Sequence, residues 1–217
     1  MSRFSIPKPM TKNIFLGAFL TLVFTSCSNV DDNTPAAVLI QAEKVSNLHA
    51  PQTGGQGQPV GGEFAKFDFE TGLPTTSDTD WDIAFRGTTI AVNGGAESGT
   101  AEEPARNGNA GVAIVTGTFD SVTSAEGLTF NQDADASFAI PTGSDNGWYN
   151  YNPQTHIISA IPGKVFVFKT TEGNFSKVEL LSYYEDAPTT PDGMIDASLY
   201  YTFNYVYNPN EGETTFK

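Results

Sequence analysis

The chain has 217 residues, of which 25 are Asp or Glu and 11 are Lys or Arg, and its formal net charge at pH 7 is −14. A surface of this sign repels the phosphate backbone of nucleic acids, and no basic cluster reverses it locally, so nucleic acid is excluded as an expected partner. The 16 Phe, 8 Tyr and 2 Trp supply enough aromatic surface for one domain with a substantial core.

The first 27 residues have the features of a bacterial lipoprotein leader. Basic residues precede an apolar run, 14–24, which is too short to cross a bilayer. The single cysteine, Cys27, follows two small residues and has no partner in the chain for a disulfide. We expect residues 1–26 to be a signal peptide, with Met10 as an alternative start, and Cys27 to carry lipid. The alternative is an ordinary cleaved signal peptide with an incidental cysteine.

The residues after the cysteine are polar and acidic. The pair Asp31 and Asp32 resembles the surface-export signal of lipoproteins in the Bacteroidota. Because the negative net charge opposes contact with anionic headgroups, we expect the lipid, and not charge, to anchor the protein. The predicted location is therefore the outer membrane, with exposure at the cell surface.

Residues 27–62 are expected to form a lipidated tether and the segment that leads into the domain. Pro35 and the Pro- and Gly-rich run 51–59 favour irregular, solvated backbone. The folded domain is expected to begin near Val38 or Glu63, and we assign residues 63–217 to it.

The domain alternates apolar and polar residues with the period of a β-strand. The alternation is clearest over 65–70 and 81–86. Further short strands, each bounded by turn residues, are predicted over 111–116, 137–140, 156–159, 164–169, 175–184 and 199–207. No segment of ten or more residues after the leader keeps helical apolar spacing without Gly or Pro. The predicted fold is therefore all-β.

The C-terminal third is predicted to be an antiparallel meander of three strands. The strand 164–169 is apolar on both faces, as expected of a central strand, and a turn leads from it into 175–184. After a Pro-rich loop, one face of the last strand carries four aromatic residues: Tyr201, Phe203, Tyr205 and Tyr207. Upstream, the polar segment 94–111 is expected to be a long mobile loop.

Catalytic and metal-binding signatures are absent from the sequence. It contains no Gly-x-Ser-x-Gly elbow and no His-Glu-x-x-His motif, and two histidines with one cysteine are too few for a structural zinc site. The acidic runs 78–82 and 133–137 fail the EF-hand pattern and are expected to be solvated turns, so calcium is not expected. We predict a protein that is not an enzyme and binds neither zinc nor a nucleotide. A carboxylate pair for glycoside hydrolysis remains open, because 25 acids allow many pairings.

Five segments resemble the HmuY family of surface or secreted lipoproteins of the Bacteroidota. They are Trp81–Arg86, Asn93–Gly95, Gly147–Trp148, Lys164–Ala187 and Tyr201–Tyr207, and the strand-turn-strand block from 164 to 187 is the most specific. The resemblance covers most of residues 63–207. Characterised members bind haem in an all-β fold and pass it to a TonB-dependent outer-membrane receptor. The resemblance thus implies an antiparallel HmuY-like sheet fold with long loops, and haem as the cofactor or ligand.

The family's haemophores hold haem iron through His or Met side chains on two loops, one before and one after the Gly-Trp motif. Residues 127–147 contain neither His nor Met, whereas His156 follows the motif. His156 is therefore the candidate ligand of the haem iron. Its structural alternative is a histidine packed at the start of a strand.

Three other side chains are candidates for ligand contact. Met194 follows a glycine in a loop and could supply a thioether, and Tyr149 and Tyr151 could stack on a porphyrin or ligate its iron. Loop packing for the methionine and a strand face for the two tyrosines are the structural alternatives.

The expected function is capture of haem or a related porphyrin by a lipid-anchored surface protein, for delivery to an outer-membrane receptor. The alternative is a structural or interaction lipoprotein with this fold that binds another small ligand or a partner protein. The sequence leaves the oligomeric state open.

Overall fold

The structure is a computed structural model that describes residues 37–55 and 57–217. The predicted leader, the lipidation candidate Cys27 and the acidic pair after it lie outside the described residues. Those from Ala37 to Lys217 form one compact unit. Apart from one three-residue 3-10 helix, Phe119–Ser121, the regular elements in the described part are strands, and no helix there is long and apolar enough to span a bilayer.

The described residues contain thirteen strands. They are β1 (Gln41–His49), β2 (Thr53–Gly55), β3 (Gln58–Gly61), β4 (Ala65–Asp68), β5 (Leu73–Thr75), β6 (Ile83–Arg86), β7 (Thr89–Val92), β8 (Gly111–Thr116), β9 (Tyr149–Asn152), β10 (Ile157–Ala160), β11 (Lys164–Lys169), β12 (Phe175–Tyr184) and β13 (Ser198–Asn208).

Two antiparallel sheets build the domain. The larger has the order β1-β13-β12-β11-β8, and the smaller has the order β5-β4-β6-β7. The hairpins β2-β3 and β9-β10 form two further pairs. All strand pairs are antiparallel, and β11, β12 and β13 are successive neighbours. The all-β fold and the C-terminal meander are confirmed.

The main core lies between the two large sheets and is rich in aromatic rings. The Phe67 ring in β4 lies 5.4 Å from that of Phe203 in β13, edge to face, and Phe69 lies 5.4 Å from Phe168 in β11. The aromatic face predicted for the last strand is confirmed, because Tyr201, Phe203, Tyr205 and Tyr207 are all buried. Burial of such rings contributes roughly 2–3 kcal/mol each.

The outer faces of both sheets are also covered. Val165 and Val167 of β11 pack with Val206 in a second apolar cluster, so β11 is buried on both faces as predicted for a central strand. A third cluster around Trp81 covers the other side of the smaller sheet. A central strand of this kind needs apolar residues at successive positions.

Two expectations about strands are wrong. The segment 41–49, for which irregular backbone was expected, forms β1 and pairs with β13 along the edge of the larger sheet. Ordered structure thus begins well before Glu63 and close to Val38, the other expected start of the domain. The predicted strand 137–140 does not form, because the amide of Ala139 donates to the carboxylate of Asp133 at 2.8 Å and Phe138 packs 6.4 Å from Phe64.

The connection 94–110 contains no strand, as expected, but buried charges attach it to the domain. The Arg106 guanidinium donates to Asp133 and Glu103 at 2.9 Å, and all three side chains are at most 1% exposed. Arg86 donates to Thr100 from the sheet. These contacts attach the loop to the smaller sheet through Arg86 and to the segment 127–147 through Asp133.

Asp82 and Asp133 are not the solvated residues that their acidic runs suggested. Asp82 is fully buried, and its carboxylate accepts hydrogen bonds from the amides of Phe69 at 3.0 Å and Thr171 at 2.8 Å. Asp133 is 2% exposed and accepts from the Val92 amide. Both carboxylates tie one segment of backbone to another, and this structural use explains their positions.

Candidate ligand-binding surface

The hairpin β9-β10 carries His156 at its tip, immediately before β10. The residue has a φ of 57°, in the left-handed region, which turns the chain into the strand. Its ring is exposed, and Nδ1 lies 2.9 Å from the hydroxyl of Tyr151 in β9. Tyr151 is 42% exposed, so the two side chains form a polar pair open to solvent.

The connection between β12 and β13, residues 185–197, passes directly beside this tip. Gly193 lies so close to the carbonyls of Thr155 and His156 that a Cβ on it would be 2.5 Å from their oxygens. The glycine therefore permits backbone contact between the two loops. The next two residues, Met194 and Ile195, are 76% and 80% exposed.

Aspartates on both sides of these residues fix the turn. The Met194 amide donates to the Asp192 side chain at 2.9 Å, and the amide of Asp192 donates to the Asp196 carboxylate at 2.7 Å. The turn presents a thioether and an aliphatic side chain to solvent next to the His156 loop. We call Tyr151, His156, Met194 and Ile195 the hairpin-tip surface.

Tyr149 does not belong to this surface. It is 9% exposed and lies 4.9 Å from the ring of Trp148, whose indole donates to the carbonyl of Thr88 at 2.8 Å. Of the four side chains predicted to contact a ligand, the structure thus brings three together at the surface and places one in the core.

The second histidine, His49, ends β1 and stacks on Tyr200 at 4.5 Å with an interplanar angle of 16°. Tyr200 belongs to β13 just after the connection that carries Met194. Both histidines of the chain are therefore at the end of the sheet where β12 connects to β13. His49 has no tyrosine hydroxyl on its ring nitrogens among the described residues, unlike His156.

The segment 127–147, where the family's first ligand would be expected, is anchored by Asp133. Burial raises the pKa of this carboxyl, although hydrogen bonds from Ala139 and Val92 and the charge of Arg106 oppose the shift. The sequence analysis did not predict this buried network of Asp133 and Arg106. Its only sequence signal is the presence of an Arg and an Asp in two polar segments that are distant in the chain. No group of three or more His, Cys, Asp or Glu side chains suited to a metal ion occurs in the described part.

The donors on the hairpin-tip surface suit a haem group. An imidazole, a thioether and a phenol are all known axial ligands of haem iron, and the exposed aliphatic carbons of Ile195 could contact a porphyrin face. The charges nearest in sequence are the carboxylates of Asp192 and Asp196, which keep the surface acidic. A cavity of about 450 Å³ lies elsewhere among the described residues, between β1 and β5.

Comparison with known proteins relates the chain to one family. The family model described as HmuY protein matches residues 41–205. No curated protein matches the chain.

The solved structures that the chain resembles include proteins of three species. An apo HmuY analog of Tannerella forsythia has 12% identity and a TM-score of 0.49, over 81% of this chain and 100% of that one. A provisionally assigned lipoprotein of Bacteroides fragilis has 16% identity and a TM-score of 0.46, over 79% and 90%. A protein of Bacteroides vulgatus, provisionally assigned as HmuY-like and heme-binding, has 14% identity and a TM-score of 0.44, over 79% and 93%.

Proposed function

Since the chain belongs to the HmuY family, whose model covers residues 41–205, we propose that it is a lipid-anchored surface protein that captures haem and delivers it to an outer-membrane receptor. The family is one of binding proteins and not of enzymes. In this proposal Cys27 carries the lipid, the residues after it form a tether, and the domain from Ala37 onward holds the ligand. A TonB-dependent receptor would be the partner.

The observation that carries the haem proposal is the pairing of His156 with Tyr151 beside Met194. A neutral imidazole ligates a metal through the nitrogen that bears no proton. When Nδ1–H donates to the Tyr151 hydroxyl oxygen, 2.9 Å away, Nε2 is left with a free lone pair facing solvent. Hydrogen bonds of this kind fix the tautomer and orientation of metal-binding histidines.

Met194 supplies the second donor of the proposed site. Its exposed side chain follows Gly193, which contacts the His156 loop, so both donors are at one junction of two loops. Haem iron, when bound, would take its protein ligands from such donors. His156 would be one ligand and Met194 the second, with the Tyr151 hydroxyl orienting the imidazole, while Ile195 would shield one porphyrin face from water.

A second function is favoured by the segment 127–147. It contains no His or Met, and Asp133 ties it to Arg106 and the smaller sheet. A family member without a ligand on this loop could hold another small apolar molecule or a partner protein on the same surface. We retain this as the alternative.

The test is an absorbance titration of haemin into the mature chain with Cys27→Ser, in the oxidised and dithionite-reduced forms. The proposal expects a saturable Soret shift at one haemin per chain. His156→Ala should shift the Soret maximum and weaken binding about tenfold or more, because second-shell and ligand changes typically cost 10- to 100-fold. Tyr151→Phe should weaken binding less.

His49→Ala is the matched control, since it removes the other exposed imidazole without touching the hairpin tip. A flat titration would refute haem capture and favour the alternative. A Soret shift that is identical in His156→Ala would remove this residue from the site.

A further inference from the structure

The end of the larger sheet where β12 connects to β13 has an unusual backbone. Of the eight non-glycine residues with positive φ in the described part of the chain, five lie at this end or in the loop that touches it: Asn47, His156, Asp186, Ala187 and Leu199. Left-handed backbone is disfavoured for residues with a Cβ and persists where neighbouring contacts determine it, and such residues cluster at ligand-binding sites. The contacts that hold this backbone therefore bear on how the hairpin-tip surface is built.

A β-bulge in β1 turns Asn47 out of the strand ladder. The pairing with β13 shifts by one residue between Val45 and Leu48. Asn47 has a φ of 58°, and its amide donates to the hydroxyl of Thr202 at 3.4 Å. Bulges of this kind redirect a side chain, and here the half-buried Asn47 side chain reaches the connection 185–197.

Asn47 and Asp186 are joined by two hydrogen bonds that run in opposite directions. Nδ2 of Asn47 donates to Oδ1 of Asp186 at 2.8 Å, and the backbone amide of Asp186 donates to Oδ1 of Asn47 at 2.8 Å. A single side-chain amide thus binds both the carboxylate and the backbone of Asp186, whose φ is 56°. Because asparagine and aspartate tolerate left-handed backbone, both residues can adopt the conformation that this pair requires.

The connection that contains Asp186 is a closed loop. The amide of Glu185 donates to the carbonyl of Ala197 at 2.9 Å, so the two ends of the loop meet. Loops of this length with joined ends are compact and are frequently functional. Asn47 therefore holds the loop at its root, from a strand that is distant in the chain.

The residues between Asp186 and Met194 carry this constraint to the hairpin-tip surface. Pro188 and Pro191 restrict the backbone at two of the intervening positions. The Met194 amide then donates to the side chain of Asp192 at 2.9 Å. The orientation of Met194 thus depends on the position of Asp186, to which a stiff segment joins it.

We propose that Asn47 is a positioning residue for ligand binding at the hairpin-tip surface. Through Asp186 it sets the position of the connection 185–197, so that Met194 remains beside the loop of His156. The consequence for haem rests on the function proposed above, whereas the consequence for Met194 in the free protein does not.

The mature chain offers a selective probe of this position. Met1 and Met10 fall in the predicted leader, so Met194 is the one methionine of residues 27–217, and ¹⁵N-methionine labelling gives one backbone amide signal. Asn47→Gly keeps the left-handed backbone and removes only the side chain. In the free variant the Met194 amide signal should move, and its hydrogen exchange should become about threefold to tenfold faster, because two hydrogen bonds that hold the loop are lost.

Exchange of the two side chains should restore the pair. In Asn47→Asp combined with Asp186→Asn, the new carboxylate can accept from the backbone amide of residue 186 and from the new side-chain amide there. The Met194 signal should then return close to that of the natural protein, whereas Asn47→Asp alone places two carboxylates together and should not restore it.

Asn210→Ala is the matched control. Asn210 is also half-buried, and it binds the backbone of Val38 through two hydrogen bonds of 2.7 Å near the other end of the β1-β13 pair. The variant therefore removes the same kind of contact away from the connection 185–197. It should leave the Met194 amide signal and its exchange rate unchanged.

Haemin titration separates positioning from a general loss of stability. Asn47→Gly should weaken haemin binding about threefold to tenfold, and should shift the Soret maximum in the same direction as Met194→Leu does. In the Met194→Leu background, Asn47→Gly should cost no further affinity, because residues that act through one another are not additive.

Three results would overturn the proposal. One is a Met194 amide whose signal and exchange rate are the same in Asn47→Gly as in the natural protein. Another is an exchanged pair that fails to restore the signal. The third is a loss of haemin affinity that Asn47→Gly causes equally with and without Met194. A flat haemin titration of the natural protein would refute haem capture alone, and the Met194 amide would still decide whether Asn47 positions the loop.

Discussion

Asp82 gives the sharpest test of the energetics, because it is a fully buried carboxylate that has no cationic partner among the described residues. Burial raises its pKa from 3.8 to about 7, although hydrogen bonds from the amides of Phe69 and Thr171 act in the opposite direction. The folded protein therefore binds a proton on Asp82 more tightly than the unfolded chain does. The stabilising contribution is fully present below pH 3.8 and is lost as the pH rises to about 7.

The size of the effect follows from the linkage between pKa and stability. Each tenfold change in proton affinity is worth about 1.4 kcal/mol, so Asp82 should lower the free energy of unfolding by about 3 kcal/mol between pH 4.5 and pH 7.5. The pKa of Glu103 is shifted in the opposite direction, so this group changes the free energy of unfolding with the opposite sign and at lower pH. Hydrogen bonds from Ser98 and Thr100 outweigh its burial and lower its pKa to about 2, so its contribution is lost only as the pH falls below about 4.5.

The experiment compares urea unfolding of the natural protein with Asp82→Asn across this range. Trp81 and Trp148 are 0% and 2% exposed, so their fluorescence reports unfolding of the core. Asparagine cannot ionise. Its side-chain amino group would face one of the two backbone amides that now donate to Asp82, and the loss of that hydrogen bond should lower the free energy of unfolding by about 1–3 kcal/mol at pH 4.5. The cost should fall, or reverse in sign, by pH 7.5, because the variant lacks the ionisation penalty.

Asp78→Asn is the control, because the Asp78 side chain is 92% exposed on the same acidic run. Its stability should follow the natural protein at every pH. Parallel curves for Asp82→Asn and the natural protein between pH 4.5 and pH 7.5 would show that the Asp82 carboxyl does not take up a proton in this range, and would refute the reasoning.

Three further predictions concern buried polar groups. Arg106→Met leaves the carboxylates of Glu103 and Asp133 buried without their cation and should lower the free energy of unfolding by about 3–5 kcal/mol in urea titrations; a loss below about 1 kcal/mol would contradict it. Lys177→Met removes the donor to the carbonyls of Phe119 and Val122, at 2.6 and 2.9 Å, and should cost about 2 kcal/mol at pH 7, whereas Lys177→Arg should cost less. Burial raises the pKa of Tyr207 from 10.0 to about 12, so this tyrosine destabilises the fold as the pH rises from 10 to 12. Circular dichroism of Tyr207→Phe should show a shallower alkaline loss of structure than the natural protein, and equal slopes would exclude Tyr207 as a cause.

The sequence by itself predicted two kinds of strand: those with one apolar and one polar face, and those with two apolar faces. The alternation over 65–70 and the apolar run 164–169 are local signals, since a side chain's face follows from its position along the strand. The same rule placed Tyr201 and Phe203 on one buried face of β13. The family resemblance also came from these segments, and the match to residues 41–205 confirmed it.

Tertiary structure alone decided the elements with weak local patterns. Strand β1 is polar on most positions because an edge strand has one neighbour and little burial, so only its pairing with β13 makes it a strand. The reverse holds at 137–140, where the Ala139 amide bonds to Asp133 and not to a neighbouring strand. Hydrogen bonds of this kind depend on a partner distant in the chain, which no local period reveals.

The candidate site divides in the same way. The sequence identified His156 and Met194 by residue type, since few donors of this kind are present in the chain. Gly193, whose missing side chain lets the two loops touch, decided that these residues lie on adjoining loops. Packing on Trp148 decided that Tyr149 is buried. Residue chemistry is local and can be read from sequence, but proximity and burial arise from the packing of the whole chain.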